Sequence, residues 1–155
     1  EDVAVFMEIF DKHKKDWNNK ANIWEVIFEE FQQERIKNAE AICDLSLDNF
    51  EEMKAHTGLE IFQKKRKLEI ALESEFPEEY NSKYSLVTFK DQIPYFDALA
   101  RGRAQDTAIL SLIHNNEISD SLSLKEILDL VKKRTEFILN EDEADDYLKY
   151  SNTDF

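Results

Sequence analysis

The chain has 155 residues, 42% of them apolar, and a formal net charge of −14. That length suits one domain able to bury a core, and the apolar share argues against wholesale disorder. The negative charge disfavours phosphate backbones and anionic membranes, so neither a nucleic-acid nor a membrane partner is expected.

Two glycines and two prolines are too few for a turn-rich β-sandwich and favour long helices. No apolar run approaches the roughly 20 residues of a membrane span, and the opening residues do not read as a signal peptide. The single cysteine, Cys43, excludes an internal disulfide and fits a reducing, cytoplasmic setting.

In chain order, Val3, Phe6, Met7 and Phe10 recur at helical spacing and predict a helix to about Lys15. Asn22 followed by Glu25 reads as a capping box opening a helix with Trp24, Ile27, Phe28 and Phe31 on one face. A further helix is predicted from about Asn38 to about His56, with Gly58 as its stop. Leu59 to Phe76 reads as the next helix, ended by Pro77.

Tyr84 to Phe89 is rich in β-formers and predicts one short extended segment. Pro94 suits the first turn of a helix carrying Leu99, Ile109, Leu110 and Ile113. Ser123 with Glu126 forms a second capping box, before a helix with Ile127, Leu128, Val131 and Ile138 on one side. The tail from Glu141 is acidic and is expected to fray. The predicted class is mainly α with one short extended piece.

No Gly-x-Gly-x-x-Gly and no P-loop is present, so nothing reads as a cradle for a dinucleotide or triphosphate. His13, His56 and His114 lie outside any zinc-type spacing with Cys43, and no metal site or catalytic residue is predicted. In the Asn38–His56 helix the apolar stripe of Ala41, Ile42 and Leu45 continues into Asn49, Glu52 and Met53. These three share one face at i, i+3 and i+4. A buried carboxamide and carboxylate need hydrogen-bond partners, and a polar ligand is one candidate. The plainer alternative is that the helix leaves the core and Asn49 and Glu52 stand in water. Tyr84 is equally open between packing and ligand contact.

The run Arg35 to Met53 contains R-x-x-N-A-x-A-I-x-D-L-x-L-x-N-F-x-E-M. Downstream stand Tyr84-Ser85-Leu86-Val87-Thr88-Phe89, Ile93-Pro94-Tyr95 and Ala98-Leu99-Ala100-Arg101-Gly102. In order and separation these resemble the C-terminal half of the kynurenine 3-monooxygenase family, with its Y-S-M-V-T-F and I-P-Y-x-x-A-L-A-R-G segments. Glu1-Asp2 resembles the end of the family's G-F-E-D motif.

The resemblance covers about residues 1–113, read as a helical substrate-covering region; residues 114–155, further helices and the acidic tail, match little. It implies a chain truncated from an α/β flavoprotein hydroxylase. The intact parent would use FAD and NADPH to convert L-kynurenine to 3-hydroxykynurenine. This chain by itself is expected to be inactive and to bind neither cofactor.

By resemblance, Asn49 meets the substrate's amino-acid end and Glu52 orients polar groups near the ring or amino group. Met53 packs on the ring, and Tyr84 donates towards the carboxylate. The missing FAD-binding domain is the implied partner, and apolar surface freed by its absence is expected to drive homo-oligomers. Another flavin-dependent aromatic hydroxylase and a non-enzymatic acidic helical interaction module are the alternatives.

Overall fold

The computed structural model describes residues 1–16, 22–56, 58–119 and 121–140; the acidic tail lies outside them. Six α-helices account for most of this part: α1 (Asp2–His13), α2 (Ile23–Glu51), α3 (Glu60–Glu75), α4 (Lys83–Phe89), α5 (Tyr95–His114) and α6 (Leu124–Asn140). A 3-10 turn (Lys14–Asp16) follows α1, and a wide π-helical turn (Glu52–His56) extends α2. The class is mainly α, and no strand occurs among the described residues.

Helix α5 is the hub, packed on by α2, α3, α4 and α6. Its second half is buried from Ala104 to Leu112, on every side rather than along one stripe, with Gln105, Asp106, Thr107 and Ser111 among the buried residues. Ile109 and Leu112 meet Leu72 of α3, Tyr80, and Ile127, Leu128 and Val131 of α6 in the main core. Residues 124–140 are therefore an integral layer of this fold. Ala104 and Ala108 admit Ile138 of α6. A second, smaller core joins Ile9 of α1 to Ile23 and Ile27 of α2.

The capping box at Ser123 is present. Its hydroxyl donates to Glu126 Oε2 at 2.7 Å, its N–H donates to the same oxygen at 2.8 Å, and the Glu126 N–H donates to Ser123 Oγ at 3.3 Å. Asn22 stands at the N-cap of α2, but its amide bonds the Glu25 carboxylate at 3.4 Å rather than the helix backbone.

Two expectations are corrected. The helices predicted around Asn22 and Asn38 are one helix of 29 residues, about 43 Å long at 1.5 Å per residue. The polar run between them holds no Gly or Pro to break it. It is instead anchored by Arg35, which is buried and bonds Asp2 at 2.7 Å and Glu1 at 2.9 Å.

The segment Tyr84 to Phe89 is not extended but lies in helix α4. Its β-formers have no strand to pair with among the described residues. Helical geometry instead places Lys83 and Leu86, both buried, one turn apart against α5.

Candidate functional site

The end of α2, the π-helical turn, α3 and the start of α4 enclose a cleft of about 510 Å³. Its lining includes Asn49, Glu52 and Met53 from α2 and the turn, and Tyr84 from α4. The four residues singled out in the sequence thus border one cavity. Asn49 and Met53 are exposed on its wall, whereas Glu52 is largely buried and Tyr84 is half-buried.

The opposite wall comes from α3 and supplies Phe62, Gln63, Lys65, Arg66, Lys67, Glu69 and Ile70. Phe62, Met53 and Ile70 give an apolar surface, and charged groups ring it. Glu52 and Met53 fall in the π-helical turn, where an extra residue per turn changes the direction of the side chains.

Glu52 is held at both oxygens. Lys83 Nζ donates to Oε1 at 2.7 Å and Tyr84 Oη donates to Oε2 at 3.3 Å. Burial and the Glu52 charge push the Tyr84 hydroxyl well above the usual tyrosine range, so it stays protonated as a donor.

Beneath the cleft runs a buried ion network. Lys83 also meets Asp106 at 3.0 Å and Asp48 at 3.3 Å. Asp106 meets Lys65 at 2.8 Å, and Asp48 receives Arg103 at 2.9 Å. Asp106 thus joins two buried ammonium groups, one at each carboxylate oxygen. Burial favours a protonated Asp106, but the Lys65 and Lys83 charges outweigh it and keep its carboxyl below the usual range. Burial alone would discharge Lys65 and Lys83, yet the surrounding carboxylates hold both ammonium groups well above the lysine range.

Glu69 differs. Burial pushes its carboxyl up to about 7, outweighing the pull of Lys65 at 3.2 Å, and the nearby Asp106 charge adds to the rise.

Sequence reasoning missed Asp48, Lys65, Glu69, Lys83, Arg103 and Asp106. Their partners lie up to 55 residues away, and no local spacing records such pairs. One signal was readable. Phe62, Lys65, Glu69 and Leu72 share one helical face, and all four are buried. Two charges inside an apolar stripe mark a buried pair.

The described residues do not fit a dinucleotide cofactor. Gly58 and Gly102 are the chain's two glycines; they stand apart, and Gly102 is packed against the Lys83 side chain. No glycine-rich turn presents backbone N–H groups to a pyrophosphate. No cluster of three potential metal ligands occurs among the described residues.

The sequence matches no protein-family model, and no solved structure is matched. Curated relatives do match. A kynurenine 3-monooxygenase of Flavobacterium johnsoniae is 34% identical over 137 residues, covering 86% of this chain and 29% of that protein. One of Myxococcus xanthus is 34% identical over 111 residues, covering 72% of this chain and 24% of its own length. One of Dictyostelium discoideum is 36% identical over 91 residues, 59% of this chain and 20% of its own length. The chain therefore spans about a quarter of the length of the curated relatives it matches.

Proposed function

We propose that this chain, which is homologous to a part of the kynurenine 3-monooxygenases, forms the C-terminal, substrate-facing helical region of a monooxygenase acting on L-kynurenine. Residues 1–113 would cover the substrate, and residues 114–155 would add the buttressing helix α6 and the acidic tail. The observation that carries the reading is the meeting of Asn49, Glu52, Met53 and Tyr84, from elements some 30 residues apart, around one cleft.

Several features support it. The volume, about 510 Å³, falls in the range of small-molecule sites. Kynurenine carries an aromatic ring at one end and a zwitterionic amino acid at the other. Met53, Phe62 and Ile70 suit the ring, with the methionine sulfur a favourable neighbour for an aromatic face. Asn49, Glu52 and Tyr84 suit the amino-acid end. Tyr84 donates to Glu52, so donation to a substrate carboxylate requires the hydroxyl to turn away while the substrate ammonium takes its place at Glu52.

FAD and NADPH would be held by the remainder of the intact enzyme. The flavin supplies the oxygen-transfer chemistry when bound, and this region orients the ring and excludes water. The isolated chain would be inactive. Met53 on the cleft wall and Leu47 and Phe50 on α2, each more than half exposed, suit a covering flavin-binding domain or, without it, a second copy. No helix among the described residues is long and apolar enough to cross a membrane. A cytoplasmic, reducing setting suits the free, exposed Cys43.

Kynurenine-stimulated NADPH oxidation by the full-length protein tests the reading. Stimulation by L-kynurenine, and little by simple phenols, is the expected result. Stimulation by phenols alone would point to a different aromatic hydroxylase, and no stimulation by either would refute the assignment.

A further inference from the structure

Lys83 opens α4 with a side chain only 2% exposed. Of the three carboxylates around its ammonium, only Glu52 lines the cleft. The other two are themselves fixed, Asp48 by Arg103 and Asp106 by Lys65. The ammonium is thus anchored on its inner side and presented to Glu52 on its outer side.

The stem is guided as well. A Cβ at Gly102 would stand 2.5 Å from Lys83 Cγ and 2.8 Å from its Cβ. The absence of a side chain at Gly102 leaves the channel in which the lysine runs. Lys83 itself does not border the cleft.

We propose that Lys83 is a positioning residue. Anchored on Asp48 and Asp106, it holds the Glu52 carboxylate so that one oxygen faces Tyr84 and the amino-acid end of the ligand. The ligand half of this statement rests on the substrate reading above; the Lys83–Glu52–Tyr84 half stands on the geometry alone. Removing Lys83 deletes one buried charge but leaves Asp48 paired with Arg103 and Asp106 with Lys65, so Lys83→Met is a usable variant. Gly102→Ala keeps every charge and favours the helix intrinsically, but its Cβ would press on the near end of the lysine stem, so α4 must shift against α5 and carry the ammonium with it.

The test uses the full 155-residue chain with ¹³Cζ-labelled tyrosine, followed by NMR at neutral pH and titrated with L-kynurenine. In the wild-type background, Gly102→Ala is expected to shift the Tyr84 Cζ signal towards its position in Glu52→Gln and to weaken kynurenine binding about tenfold. In the Glu52→Gln background the same change leaves the Tyr84 signal in place and alters binding less than about twofold, the non-additivity expected of groups acting through one another. Equal effects in both backgrounds, or an unmoved Tyr84 signal, would overturn the proposal. Lys83→Met in the same two backgrounds gives the same reading should Gly102→Ala disturb α5. A wild-type chain that binds no kynurenine would count against the substrate reading, while the Tyr84 signal still decides the role of Lys83.

Discussion

Glu69 shows how burial turns an ordinary side chain into a titrating one. Its carboxyl lies at about 7 in the folded chain against 4.5 as a free group, because burial outweighs the pull of Lys65. Below pH 4.5 it is protonated whether the chain is folded or not and contributes no pH dependence. Between about 4.5 and 7 the folded state keeps a proton that the unfolded state has released, so stability falls as pH rises, by on the order of 1 kcal/mol per pH unit. Above 7 the penalty is constant. Glu69→Gln removes this slope. Urea midpoints measured from pH 4.5 to 8 should fall with pH more steeply in the wild type than in the variant, and parallel curves would show that Glu69 does not titrate in this window.

The surroundings of Glu52 mark where the sequence stopped being legible. Asn49, Glu52 and Met53 could be placed on one helical face because i, i+3 and i+4 spacing is a property of the helix alone. Their partners could not. Lys83 bonds Glu52 across 31 residues and Asp48 across 35, and only tertiary folding decides which charges meet. Asp48, not Asn49, proved to be the buried polar residue of that turn. The face turns inward at Ala41, Leu45 and Asp48, one position off the line drawn through Asn49.

At the scale of elements, local signals succeeded where local chemistry decides. Ser123 and Glu126 satisfy each other's end of α6 without help from the rest of the chain, so their pattern was readable. Ser123→Ala should cost about 1 kcal/mol of stability. Chemical denaturation checks this, and a loss under a few tenths would show the cap to be redundant.

Helix α4 failed for the opposite reason. Val87 and Thr88 favour strands, but a strand needs an edge to pair with, and α5 offers only a helical surface. Helix α2 reads as two helices in the sequence because its middle lacks apolar periodicity. It is continuous because Arg35, at that point, ties it to the acidic start of α1.

For the whole molecule, the main core and the ion network divide the work. Leu72, Ile109, Leu128 and their neighbours hold α3, α5 and α6 together. The charges of Asp48, Lys83, Arg103 and Asp106 join α2, α4 and α5 beneath the cleft. A layer of paired charges behind the cleft wall, in place of interchangeable apolar contacts, fixes the direction of Glu52 as well as its proximity, which is what an oriented substrate requires.

The central claim, that this cleft receives kynurenine, has a built-in control. The chain holds two methionines: Met53 borders the cleft, and Met7 lies on α1, outside its lining. With both methyl groups ¹³C-labelled and L-kynurenine titrated into the millimolar range, the account predicts that the Met53 signal moves saturably and the Met7 signal stays in place. An unmoved Met53, or a Met7 shift of equal size, would contradict it.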